Sequence, residues 1–313
     1  MSKKILITPK SFRNHKQKAY PLLESKGYEI IENNLGRTMT EAEIIECAKE
    51  DVVGIIIGID PLSASVLQEL KDLKAISKYG VGMDNIDLVK AAELGIKVQN
   101  AVGTNNVSVA ELAIALIFTL ARDIPVISAG VKNGGWSRTC GFELTGKKLG
   151  LVGGGMIGRE VARRSRGLEM QVSIYDPWFK DEQFLDQYGI TRLDDLDALF
   201  SQSDIISLHV PATAETRNII NKDSLSRMKS NAILINTSRG ELVDEQALYD
   251  ALVSGQIAGA AQDVFSSEPP AKDEKLLTLH NFILTPHIGA FTAEAGEKMA
   301  LVSTHNLLEL LGQ

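Results

Sequence analysis

The segment Gly153-Gly154-Gly155-Met156-Ile157-Gly158 follows the apolar run Lys148-Leu149-Gly150-Leu151-Val152 and opens a helical pattern, Gly158-Arg159-Glu160-Val161-Ala162. A strand, a glycine turn and a helix start, in that order, let backbone N–H groups approach a pyrophosphate with the positive end of the helix dipole behind them. Taken alone, the glycines equally describe a tight strand-to-helix turn. The following strand ends at Asp176, near the roughly 20-residue spacing at which an acid meets an adenosine ribose. Asp176 would accept hydrogen bonds from the ribose hydroxyls and repel the extra phosphate of NADP. NAD is therefore the favoured cofactor, with Lys180 nearby as the feature that leaves NADP open.

Three further polar side chains stand just past the ends of strands. The apolar run at 232–235 leads into Asn236-Thr237-Ser238-Arg239, the run at 257–262 into Asp263 and, five positions on, Glu268, and the run at 282–285 into Pro286-His287. In an open α/β sheet, ligands gather at the carboxyl ends of the strands. Singly, Arg239 reads equally well as a surface cation, Glu268 as a turn acid before Pro269, and His287 as a loop histidine. Together they line the rim where a nicotinamide ring would lie.

The elements that must position these groups alternate. Apolar strands over 4–9, 28–33, 52–59, 73–78 and 97–99 are separated by helical patterns such as 40–50 and 63–70, the first opening on Thr40 and Glu43 as a capping box. The alternation resumes over 148–153, 171–176, 205–210, 232–236, 257–262 and 282–285. Such βαβα order makes parallel sheets covered on both faces. With 313 residues the chain is too long for one ordinary core, so two domains are expected. Between the two blocks, 107–122 is apolar nearly all round, as for a helix buried on several sides, either as a spine between domains or at a dimer interface. The stretch 123–142, with Gly130, Gly134, Gly135 and Trp136, reads as a loop or arm. The last helical pattern, 294–311, is expected to return to the first domain.

Composition excludes some classes. Hydrophobic residues are 44%, charged residues 23%, and the net charge of −7 comes without a long basic block, which argues against a nucleic-acid surface. The longest apolar run, 113–121, is far short of a membrane span. The two cysteines, Cys47 and Cys140, have no metal-type spacing and read as reduced thiols in a cytoplasmic protein.

Nearly the whole chain resembles the D-isomer-specific 2-hydroxyacid dehydrogenases. The resemblance rests on Gly80-Val81-Gly82-Met83-Asp84-Asn85-Ile86-Asp87, Ser108-Val109-Ala110-Glu111, Glu143-Leu144-Thr145-Gly146-Lys147, the glycine turn, His209-Val210-Pro211, Asn236 to Gly240, Asp263-Val264-Phe265 with Glu268-Pro269, and His287-Ile288-Gly289. It implies two doubly wound α/β domains with parallel sheets. One is a Rossmann NAD-binding domain over 101–287. The other is a flavodoxin-like substrate domain, discontinuous over 1–100 and 288–313. It also implies a homodimer through the Rossmann domains, with the Trp136 arm reaching the partner.

The resemblance implies roles that the residue chemistry suits. Arg239 can hold a planar carboxylate and the adjacent ketone through its fork of donors. His287 can exchange a proton with the substrate oxygen, and Glu268 can hydrogen-bond the imidazole and stabilise its charged form. Tyr79, Gly80, Val81 and Gly82 belong to a loop that offers backbone N–H groups to the substrate carboxylate, and Asn105 sits where substrate or nicotinamide approaches. Gly153, Gly155, Met156, Ile157, Gly158, Asp176, His209, Pro211, Thr237 and Asp263 match cofactor-lining positions. For His209 the backbone is the better candidate, and Asp263, expected at the nicotinamide carboxamide, is also readable as a structural acid. The substrate stays open among 3-phosphoglycerate, glycerate or hydroxypyruvate, and glyoxylate. Where phosphoglycerate enzymes carry an Arg-Ser or similar pair, this chain has Gly58-Ile59-Asp60-Pro61, whose acid would repel a phosphate if it pointed inward, and only Lys78 or Arg138 could compensate. The other reading is an NAD(H)-sensing binding protein of the corepressor type.

Overall fold

A computed structural model describes residues 3–313. The chain forms two compact units, one ending at Asn105 and resuming at Ala290, the other running from Asn106 to Gly289. These junctions lie a few residues later than the boundaries of 100/101 and 287/288 read from the sequence.

The first unit alternates β1 (Lys4–Ile7), α1 (Lys16–Glu24), β2 (Glu29–Glu32), α2 (Glu41–Ala48), β3 (Val52–Ile57), α3 (Ala64–Glu69), β4 (Ala75–Lys78), α4 (Leu88–Glu93) and β5 (Lys97–Asn100). Its five strands lie in the order β2-β1-β3-β4-β5, every pair parallel. This is the flavodoxin-like order. All six residues of β3 are buried, as a central strand covered on both faces requires. Helix α2 opens on its capping box: Glu43 N–H donates to Thr40 Oγ1 and Thr40 N–H to the Glu43 carboxylate at 2.8 Å.

The second unit begins with α5 (Asn106–Ala121) and α6 (Ile124–Lys132). It continues through β6 (Lys148–Val152), α7 (Met156–Gly167), β7 (Gln171–Tyr175), α8 (Glu182–Tyr188), β8 (Thr191–Arg192), α9 (Leu196–Gln202), β9 (Ile205–Leu208), α10 (Lys222–Arg227), β10 (Ile233–Asn236), α11 (Glu245–Ser254), β11 (Gly259–Gln262) and β12 (Phe282–Leu284). The order is β12-β11-β10-β9-β6-β7-β8, all parallel, so direction of winding reverses between β6 and β9. Separate apolar cores cover its two faces, one around α5 and α7, the other around α9, α10 and α11. The two-residue β8 has no counterpart in the sequence reading, because it is too short and too exposed to leave an apolar pattern.

One expectation needs correction. Residues 123–142 are not all loop: α6 starts beside Pro125, whose fixed φ suits a first helical turn, although none of its residues is buried. Helix α5 buries one face, with Val109, Ala113, Leu116 and Ile117, while Glu111, Ala115 and Phe118 stay exposed in the single chain. Among the described residues no single helix is long and apolar enough to cross a membrane.

Helix α12 (Ala293–Leu310) belongs to the first unit. Its buried residues, Ala295, Gly296, Met299, Ala300, Ser303, Thr304, Asn306, Leu307 and Leu308, form one stripe that packs over β3, β4, β5 and α1. Burying a side chain such as Leu307 contributes about 1.5–3 kcal/mol, which holds the chain's end on its first domain.

Candidate active site

Reversal of the winding between β6 and β9 opens a crevice at the strand ends, and the glycine turn stands there. Gly153 has φ +106°, and its N–H donates to Tyr175 O at 2.9 Å. Gly158 lies so close beneath that a Cβ on it would fall 2.2 Å from Gly153 O. Gly155 is the N-cap of α7, with no side chain capping the helix and no atom within 4 Å of where its Cβ would be. The uncapped amides of Met156 and Ile157 begin the helix behind that open space. These groups fit a pyrophosphate: a backbone cradle, free first-turn amides and room for the ligand.

Asp176 is fixed by the same turn. Gly154 N–H donates to its Oδ2 at 2.8 Å and Trp178 N–H to its Oδ1 at 2.9 Å. The carboxylate thus arrives pre-oriented in a cleft that also includes Trp178 and Lys180. Arg159 braces the turn, donating from Nε to Gly154 O at 3.1 Å, pairing with Asp181 and stacking over the Phe179 ring. Sequence reasoning missed this arginine, since its only signal is a position one residue past the last glycine.

His209 follows β9 beside the turn. Its Nε2 lies 2.9 Å from Ser207 Oγ, its buried Nδ1 has no partner among the described residues, and burial pushes the imidazole down to about 3. Thr237, 7% exposed, likewise has a buried hydroxyl with no partner among the described residues. Two orphaned polar atoms at this edge are what a bound cofactor would satisfy. Pro211 is exposed in the same loop.

The sheet brings the other three groups to the same edge. Arg239 leaves β10 in a turn shaped by buried Asn236, whose Nδ2 donates to Arg239 O at 2.8 Å and whose Oδ1 accepts from Ser238 N–H at 3.0 Å. Glu268 follows β11, and its Oε1 accepts from Phe265 N–H at 3.0 Å. His287 follows β12, with Nδ1 2.8 Å from Glu268 Oε2. Burial opposes ionisation of Glu268, but the His287 hydrogen bond, the Phe265 N–H and the charges of His287 and Arg239 outweigh it and hold the carboxyl below the usual range. His287 has φ +53°, a left-handed conformation that costs a non-glycine residue about 1 kcal/mol or more. Asp263 is 1% exposed and accepts from Thr285 Oγ1, Ile288 N–H and Gly289 N–H.

In the first unit, Gly80 has φ +139°, and the turn it begins is held by Ala101 N–H on Gly80 O at 2.9 Å and Asn100 Nδ2 on Val81 O at 2.6 Å. Gly82 completes the turn, half-buried. The Tyr79 ring does not reach that edge. It lies in the core 5.5 Å from the Phe12 ring, its hydroxyl donates to Gly296 O at 3.3 Å and its backbone N–H to Ile57 O at 2.8 Å, so Tyr79 does not offer the donor expected of it. Asn105 has a buried side-chain oxygen with no partner among the described residues. Asp60 turns into the core of the first unit and not toward a ligand, accepting from Thr8 Oγ1 and from Met39 N–H at 2.7 Å. Lys78, 5% exposed, donates to Gly58 O and Asn85 Oδ1.

A family model described as D-isomer specific 2-hydroxyacid dehydrogenase, NAD binding domain, matches residues 114–289. The hydroxypyruvate reductase of Thermotoga maritima is 42% identical over 274 residues, 86% of this chain and 88% of its own. The chain belongs to the D-isomer-specific 2-hydroxyacid dehydrogenase family. As such it is an NAD-dependent oxidoreductase that interconverts a D-2-hydroxy acid and its 2-oxo acid. The D-3-phosphoglycerate dehydrogenase of Methanocaldococcus jannaschii is 41% identical over 90% of this dehydrogenase, which spans 54% of that relative's length. Among solved structures, the TT0316 protein of Thermus thermophilus superposes with a TM-score of 0.87 at 34% identity, covering 99% of this chain and 97% of that one.

Proposed function

We propose that this dehydrogenase acts on a short, unphosphorylated 2-oxo acid such as hydroxypyruvate or glyoxylate, with His287 as acid and base, Glu268 as its partner and Arg239 on the substrate carboxylate. The observation that carries the reaction is the 2.8 Å pairing of His287 Nδ1 with Glu268 Oε2. It fixes the tautomer, so that Nε2 is the nitrogen presented to the substrate oxygen. Bound NADH supplies the hydride. Arg239 holds the carboxylate through its guanidinium fork and orients the adjacent carbonyl. His287 delivers a proton to the carbonyl oxygen in reduction and takes it from the hydroxyl in oxidation, while Glu268 stabilises the imidazolium. The complete set favours an enzyme over a corepressor-type sensor.

Substrate choice rests on the first unit. The 80–82 turn shares its sheet edge with the loop 58–60, whose outward side chain is Ile59, 72% exposed. The Asp60 carboxylate and the Lys78 ammonium are both committed to internal partners. That loop therefore presents an apolar surface, which favours an unphosphorylated acid, in keeping with the named activity of the Thermotoga maritima relative.

We infer a homodimer through the Rossmann units from the apolar surface of α5, α6 and the arm, where Phe118, Ile124, Val126, Val131 and Trp136 are all more than a third exposed. Exposed and unpaired Cys47 and Cys140 suit a reducing compartment, the cytoplasm.

The test is NADH consumption with hydroxypyruvate, glyoxylate, phosphohydroxypyruvate and 2-oxoglutarate. One of the first two should have the highest kcat/KM, and His287→Asn should lower turnover about 10²-fold or more. Preference for the phosphorylated acid would overturn the substrate reading. NADH binding without turnover of any acid would support a sensor.

A further inference from the structure

His287 sits in a left-handed conformation that is uncommon for any residue carrying a Cβ, and its turn must hold it there. The turn that carries it, 285–289, is gripped from within by one side chain. Asp263 Oδ1 accepts from Thr285 Oγ1 at 2.5 Å and from Ile288 N–H at 2.8 Å, and Oδ2 accepts from Gly289 N–H at 2.7 Å. The Asp263 backbone carbonyl takes His287 N–H at 2.8 Å, and Asp263 N–H in turn donates to Asn236 O at 2.9 Å. The donors thus flank His287 on both sides, and the acceptor is rooted at the end of β11, deep in the sheet. At the far end of the turn, Ser108 Oγ holds Gly289 O.

We propose that Asp263 is a positioning residue for proton transfer: its carboxylate ties down the 285–289 turn, keeps His287 left-handed, and so aims the imidazole at Glu268. The proposal rests on His287 being the acid and base. It differs from a role for Asp263 at the nicotinamide carboxamide, because its three hydrogen bonds all run to the histidine's own turn. A carboxylate can accept from all three donors, whereas an amide of the same shape has one acceptor oxygen and presents N–H groups to the rest. A misaimed histidine binds cofactor normally but transfers protons slowly, since small displacements of a catalytic group cost large factors in rate.

Two variants probe this. Asp263→Asn leaves at least one donor facing an N–H, and Thr285→Val removes a single tether without touching Asp263. At saturating NADH and hydroxypyruvate, kcat should fall about tenfold or more in the first and about threefold in the second. The Kd for NADH, read by nucleotide fluorescence, should stay within about twofold, and the Ile288 and Gly289 amide proton resonances should move upfield as they lose a carboxylate acceptor. Combined with His287→Asn, Asp263→Asn should cause no further loss, because a residue that acts only through the histidine has nothing left to aim. A raised Kd with kcat retained in Asp263→Asn, together with normal Thr285→Val, would overturn the proposal in favour of the carboxamide. Equal losses with and without His287 would also overturn it, as general damage to the fold. If His287→Asn itself turns over normally, the reading beneath the proposal fails first.

Discussion

The glycine turn makes a prediction that separates fold from ligand within three residues. At Gly158 a Cβ would lie 2.2 Å from Gly153 O. Carbon–oxygen contacts settle at about 3.3–3.6 Å, so turn and helix must separate by about 1 Å. Overpacking of this kind typically costs about 1–3 kcal/mol, against which the gain in helix propensity on replacing glycine is at most about 1 kcal/mol. At roughly 2–4 °C per kcal/mol for a domain of this size, Gly158→Ala should lower the Tm by several degrees without any ligand. At Gly155 nothing stands within 4 Å, and its φ of −68° is open to alanine. Gly155→Ala should therefore leave the Tm of the free protein nearly unchanged, while placing a methyl group in the space read as the pyrophosphate's. Losing about 1.4 kcal/mol of binding raises Kd tenfold, and Gly155→Ala should reach at least that. Thermal unfolding by dye fluorescence, with and without NADH, reads both effects. The free Tm should fall only in Gly158→Ala, and the NADH-induced rise in Tm should shrink in both. If Gly155→Ala binds NADH like the native chain, the cradle is not where the cofactor lies.

Two further outcomes follow from other parts of the molecule. Burial takes the His209 imidazole down to about 3, whereas an unfolded histidine titrates near 6.5. Below 6.5 the unfolded chain binds a proton that the native chain refuses, so this residue's contribution is fully present above 6.5 and is lost as pH falls toward 3. His209→Gln should flatten the fall in the urea midpoint between pH 7 and pH 5, and an unchanged pH dependence would refute the assignment. For the arm, Trp136 is 80% exposed and Val131 43%. Replacing both by glutamate should convert a dimer to monomer in sedimentation, whereas a native chain that sediments as a monomer would remove the proposed interface.

Much of the fold was legible because its signals are local. The alternation of strands with helices, the capping box at Thr40 and the amphipathic final helix each need only a few neighbouring residues to be recognised. The strand-end polar groups were legible for the same reason: in a parallel sheet every strand delivers its last residue to one edge, so Arg239, Glu268 and His287 had to share it once the strands were placed. The 123–142 segment misled because its glycines outweighed Pro125 as a helix-starting signal, and α6 has no buried face to mark it.

What the sequence by itself determined was therefore the list of elements, their parallel arrangement, the dinucleotide turn with its acid, and the chemical set at the rim. The direction of individual side chains was decided by tertiary structure. The inward turn of Asp60, the core position of the Tyr79 ring, the commitment of Lys78 to carbonyl oxygens, and the grip of Asp263 on the His287 turn all depend on partners brought close from distant strands. A residue's type states what it can bond to. Which bond it makes depends on what the sheet register and the packing of the helices set beside it, and at this site that choice separates a surface charge from a structural tether.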